Sequence, residues 1–175
     1  VTLLEKFNAD YPESIYHKEI YFRLGKFFYH KRDFNDALIW FNQLSAKDIS
    51  KEDQSEFSFK LGYANFQEAN YDAARSAFYD IKDDSTQYGP PALYFYSHIA
   101  YMNKSYSVAE AGFIRLKDKA QYASIAPYYL AQIYYLQGDY KKVIDIAPNV
   151  MDTSKVFNQN DMNHLVGDSY CRENQ

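Results

Sequence analysis

Histidine and cysteine are the residue types here most able to bind a metal or attack a substrate, and their placement argues against both. His17, His30, His98 and His164 are scattered along the chain, whereas a zinc site draws several His or Cys ligands from a recognisable spacing. The lone Cys171 has no histidine placed to act as its base and no partner for an internal disulfide. One helical turn after Gly167, it reads as a core-facing or boundary thiol. No glycine-rich phosphate loop, Gly-x-Ser-x-Gly elbow or His-Glu-x-x-His pair occurs, and Asp83-Asp84 reads as the loop closing a helix. The expectation is a protein that is not an enzyme, with no catalytic residue, no metal ligand and no cofactor. The residues that remain able to recognise something are rings. The chain holds 19 Tyr and 13 Phe against a single Trp, and Tyr combines a large apolar face with a hydroxyl at small entropic cost.

Those rings recur. Leu24-Gly25, Leu61-Gly62, Tyr96-Ser97, Leu130-Ala131 and Val166-Gly167 follow one another at intervals of about 35 residues. Nine positions after the small residue of each of the first four stands Phe34, Tyr71, Tyr106 or Tyr140. Three further on comes Ala37, Ala74, Ala109 or Val143, then Phe41, Phe78, Phe113 or Ala147, then Leu44, Ile81, Leu116 or Val150. Phe34, Ala37, Leu38, Phe41 and Leu44 form the stripe of an amphipathic helix. A few polar residues, such as Lys31-Arg32-Asp33, join it to the preceding helix, and so short a link makes the two run antiparallel. The small residue on the first helix removes bulk where the second crosses. Ser50 with Asp53 reads as a capping box, and Pro91 and Pro127 sit where a first turn tolerates proline. Asn103-Lys104-Ser105 fits a glycosylation sequon in an exposed turn. Pro148 interrupts the stripe of the fourth unit, so that helix is expected to stop or kink near Ile146 to Asn149, with an irregular linker up to Asn160.

This unit resembles the tetratricopeptide repeat, whose helix-turn-helix carries Leu-Gly-x-x-Tyr and then Ala-x-x-x-Phe. The matching residues are Leu24-Gly25 with Phe28, Ala37 with Phe41, Leu61-Gly62, Ala74 with Phe78, Ala109 with Phe113, and Val166-Gly167 with Tyr170. Asn65 and Ala100 replace the first-helix aromatic, and Val143 with Ala147 departs from the pattern in the fourth unit. The resemblance implies an all-α fold of tandem antiparallel helix pairs stacked as an α-solenoid. The expected array runs over 1–175 as a second helix of an incomplete repeat (1–11), repeats at 15–48, 51–85, 90–119 and 124–152, and a first helix of an incomplete repeat (160–175). Both ends thus read as half-repeats, the first followed by the breaker Tyr11-Pro12-Glu13-Ser14, which implies a longer array. Tyr11-Pro12-x-Ser14 before a Tyr- and Phe-rich helix also resembles repeat proteins of the bacterial cell envelope, implying a periplasmic parent.

Arrays of the resembled family line a concave surface with their first helices. The positions expected there are Phe22, Phe59, Tyr94 and Tyr128, then Tyr29, Phe66, Tyr101 and Tyr135, with Lys26, Tyr63, His98 and Gln132 between them. The implied function is a protein-protein interaction scaffold gripping a partner segment in an aromatic groove. The alternative is a carbohydrate-binding module stacking sugars on the same ladder, and packing of the rings between repeats competes with both. With 19 basic and 23 acidic residues interspersed, net charge −4, no basic stripe marks a nucleic-acid partner. No apolar run approaches the ~20 residues that cross a bilayer, so this segment is not expected to insert into a membrane.

Overall fold

The computed structural model describes residues 2–11, 13–151 and 158–173. Among them the secondary structure is ten α-helices and one short 3-10 turn, without a strand: α1 (Thr2–Asp10), α2 (His17–His30), α3 (Phe34–Phe41), the 3-10 turn (Ala46–Asp48), α4 (Gln54–Gln67), α5 (Tyr71–Ile81), α6 (Gly89–Met102), α7 (Tyr106–Leu116), α8 (Ile125–Gln137), α9 (Tyr140–Met151) and α10 (Gln159–Glu173). The chain divides into two compact units, Val1–Tyr96 and Ser97–Gln175, with the division inside α6. In the first unit α1 packs on α2, α2 on α3, α3 on α4 and α4 on α5, and α2 also meets α4. In the second, α7 packs on α8, α8 on α9 and α9 on α10, and α10 also meets α8. Within each unit, helices adjacent in sequence are adjacent in space, the arrangement of a helical solenoid.

The turn inside each pair has one geometry used four times. Arg32, Ala69, Lys104 and Gly138 are left-handed, with φ of 63°, 59°, 59° and 78°. Each stands seven positions after the small residue of its unit. The next amide in each case reaches back to the last turn of the first helix: Asp33 N–H to Phe28 C=O (3.0 Å), Asn70 to Asn65 (2.8 Å), Ser105 to Ala100 (2.8 Å) and Asp139 to Tyr134 (2.9 Å). These are Schellman bonds, which satisfy carbonyls the helix end leaves over and turn the chain sharply back. Only Gly138 adopts that conformation without a Cβ penalty.

Small residues do what their spacing implies. A Cβ added to Gly25 would collide with the Phe41 ring, and one added to Gly62 would come within 2.8 Å of Phe78. Phe41, Phe78 and Phe113 are fully buried, as are Ala37, Ala74 and Ala109 beside them. Gly167 differs, since nothing stands within 4 Å of a Cβ there.

Two expectations need correction. Of the stop or kink expected near Ile146 to Asn149, the stop is corrected, since helix α9 runs past Pro148 to Met151. Pro148 is exposed and sits in the last turn, so the helix forfeits only the bond to the Ile144 carbonyl, and few residues follow for the ring to displace. The linker expected up to Asn160 falls largely on residues 152–157, outside the described residues, and α10 already begins at Gln159; Pro12 and the Val150 side chain also lie outside them. Cys171 is exposed rather than core-facing, because α10 turns Met162, Val166 and Ser169 inward instead. The Ser50–Asp53 pair does form, with the Ser50 hydroxyl 2.8 Å from the Asp53 carboxylate and the Asp53 amide 3.3 Å from Ser50. It closes the turn before α4, which starts only at Gln54.

Candidate functional site

In the first unit the ring positions of α2 and α4 form one connected cluster. Phe22 is only 7% exposed, wedged 6.4 Å from the Phe41 ring and 6.0 Å from Phe57; it is a core residue. Lys26 lies half-buried with its Nζ 4.3 Å over the Phe22 ring and 3.7 Å from a Glu56 carboxylate oxygen. Tyr29 meets Tyr63 edge-on at 5.8 Å and Phe34 at 5.7 Å. Burial pushes its hydroxyl up to about 12, with the neighbouring Tyr63 and Tyr88 hydroxyls adding to the effect. Phe59, Tyr63 and Phe66 are half-buried and surround Phe95 at 6.3, 5.3 and 5.0 Å, and half-buried Tyr94 lies edge-on to the same ring at 5.2 Å.

The second unit repeats the theme with hydrogen bonds added. His98 and Tyr101 pack against Tyr129 at 5.4 and 5.3 Å; burial holds the His98 imidazole below the usual histidine range. The Tyr101 hydroxyl donates to Gln132 Oε1 (2.6 Å), the Gln132 amide donates to the Tyr128 hydroxyl (2.7 Å), and Tyr128 donates to Asp161 (3.3 Å). Tyr128 is buried, at 8% exposure. The Tyr135 hydroxyl donates to Asp168, which also accepts from Arg172 Nε at 2.6 Å. Those two hydrogen bonds hold the Asp168 carboxyl below its usual range, Tyr135 first and Arg172 second.

Of the twelve positions picked from sequence, then, Phe22 and Tyr128 belong to the core, and the other ten are half-buried. The residues that tie these rings together are different ones. Two positions before Gly62, Ser97 and Ala131 stand Lys60, Phe95 and Tyr129, and each reaches back onto the preceding repeat. Phe95 stacks on Phe78 (5.3 Å, 16°) and Tyr129 on Phe113 (4.7 Å, 6°). Lys60, only 7% exposed, puts its Nζ 4.4 Å over the Tyr29 ring and 3.6 Å from Glu56. Desolvation pushes its ammonium below the usual lysine range, and Glu56 opposes the shift. The repeat register carried the signal for Phe95 and Tyr129, one position along from the rings chosen. Nothing in the residue type pointed to Lys60, since lysine is almost never buried unless paired.

Two open cavities adjoin these faces. One of about 520 Å³ lies along α2, lined by Arg23, Lys26, Phe27 and His30 with Leu4 and Asp53. The other, about 460 Å³, lies between α8 and α10. Among the described residues no group of three or more His, Cys, Asp or Glu could hold a metal ion, and no helix is long and apolar enough to cross a membrane. No known protein family matches this chain, and no curated protein does.

Proposed function

We propose that the chain is a helical-repeat scaffold of the tetratricopeptide type that holds a protein segment against the aromatic faces of its first helices, without catalysis. The observation that supports this reading is the state of the rings. Tyr29 and Phe66 in the first unit, and Tyr101 and Tyr135 in the second, are each half-buried at the same position, four residues after the small residue of the repeat. A ring fixed on one side and open on the other contributes contact area while losing little further freedom on binding. The packing is largely edge-on, 64° for Tyr29 on Tyr63 and 68° for Tyr101 on Tyr129. Packing of that kind holds each ring against a neighbour, and a partly exposed ring already fixed in place suits contact with a polypeptide segment.

Tyr94→Ala and Tyr101→Ala, made separately, test it. Truncating an interface anchor costs ~2 kcal/mol or more of affinity, with thermal unfolding little changed and partner capture lost. Unfolding costs of ~3–5 kcal/mol, as for core rings, with capture undiminished in the folded fraction, would overturn the assignment. Retention of the chain on polysaccharide that both variants abolish would favour the carbohydrate reading instead.

A further inference from the structure

The cavity between α8 and α10 has Gln132 and His164 in its lining, and two contrasting walls. Leu136, Leu165 and the ring of Tyr135 make an apolar side, and the carboxylates of Asp161 and Asp168 make an acidic one. Leu136 is 53% exposed, an apolar side chain open at the cavity mouth. Each carboxylate is held by a tyrosine hydroxyl, Asp161 by Tyr128 and Asp168 by Tyr135. Tyr128 is fixed in turn through Gln132 to Tyr101, so the acceptors are positioned before any ligand arrives. The chain's own Arg172 already displays how this wall takes a cation. Its Nε donates to Asp168 at 2.6 Å, and its guanidinium lies 5.8 Å from the Tyr135 ring centre and 5.3 Å from that of Tyr140. Asp161, by contrast, is held among the described residues by a hydroxyl and the Asn158 amide, both neutral.

Resting on the scaffold reading above, we propose that this cavity receives a lysine or arginine side chain of the bound segment. Its aliphatic stem lies along Leu136 and Leu165, and its charged head reaches Asp161. Long basic side chains bury their methylenes on apolar surface while the head group seeks a carboxylate, and a charge-assisted hydrogen bond of that kind is about twice as strong as a neutral one. A cavity of about 460 Å³ falls within the ~300–1,000 Å³ span of ligand sites, ample for one long side chain and its backbone.

The probe is acetyl-leucyl-arginyl-leucinamide titrated into the isotope-labelled whole chain, with the same peptide carrying norleucine in place of arginine as the uncharged control. The expected result is saturable amide shifts at Gln132, Leu136 and Leu165, with the arginine peptide binding about tenfold tighter than the control. Asp161→Asn, isosteric and still able to accept from Tyr128, should remove most of that preference. Leu136→Lys, at an exposed position that does not threaten folding, should remove it independently by placing a cation in the mouth. Equal binding of the two peptides, unchanged preference in both variants, or no shifts up to about 10 mM would overturn the proposal. A protein partner lost by Tyr101→Ala but retained by both cavity variants would sink this assignment alone. Retention by all three would sink the scaffold reading with it.

Discussion

The seam between α3 and α4 in the first unit and the seam between α7 and α8 in the second solve the same packing problem with different residues. In both, a fully buried phenylalanine of a second helix, Phe41 or Phe113, must be covered by the first helix that follows. At Phe41 the cover is Phe57, 2% exposed and edge-on at 5.8 Å and 83°; three residues later stands Lys60. At Phe113 the cover is Tyr129, stacked at 4.7 Å; three residues earlier stands Ala126, completely buried. The seam covering Phe78 follows the second pattern, with Ala92 and Phe95 at the same two positions. The bulky residue has moved by about one turn while the pair keeps one large apolar member. The seam therefore asks for a ring of a given volume within one turn of helix, not at a fixed position. Where the ring moves to the earlier site, the later one is released to hold a buried cation.

The strongest way to break this comparison is to remove the ring and try to restore it at the other site. Phe57→Ala should cost about 3–5 kcal/mol in urea unfolding, and adding Lys60→Phe in the same chain should recover at least ~1.5 kcal/mol of it. A double variant no more stable than Phe57→Ala would show the two sites are not interchangeable.

A smaller contrast lies in the glycines. Gly62→Ala pushes a methyl to 2.8 Å from the Phe78 ring and should destabilise by about 1–3 kcal/mol. Gly167→Ala meets nothing within 4 Å in mid-helix and should stabilise by about 0.5–1 kcal/mol. Calorimetric midpoints moving in the same direction for both would contradict the difference in crossing.

Smaller still is the effect at the repeated turn. Ala69, left-handed in the first unit, should gain about 1 kcal/mol on replacement by glycine, and Gly138→Ala in the second should lose a similar amount. Equal and negligible shifts in urea midpoint would show that the turn relaxes away from its left-handed form.

The mildest distinction is one of pH. His98 in the second unit has its pKa lowered by burial, so between that depressed value and the ordinary 6.5 the unfolded chain binds more protons than the folded one. Stability then falls as pH drops through 6.5 toward the depressed value, and it is regained above 6.5. Lys60 obeys the same sign but in the alkaline range, between its lowered value and 10.5. His98→Gln should flatten the acid side of the stability profile and leave the alkaline side alone. An unaltered acid slope would assign that loss to other groups.

By itself the sequence determined what is local and periodic. The interval of the small residues, the stripes on α3, α5 and α7 and the three-residue polar links set helix pairs, their order and their inward faces, because each depends on neighbours within one or two turns. The close approach of Gly25 to Phe41 and Gly62 to Phe78 was legible for the same reason, a missing side chain opposite a large one at constant spacing. Tertiary structure alone decided which of two ring positions covers each phenylalanine, since that depends on volume contributed from the next repeat. It also decided that Phe22 and Tyr128 are core, that Lys60 is buried between Tyr29 and Glu56, and that Pro148 lies on an open face where its helix continues. In each of these cases burial is set by what arrives from elsewhere in the chain, and the residue's own type and local spacing carry no record of it.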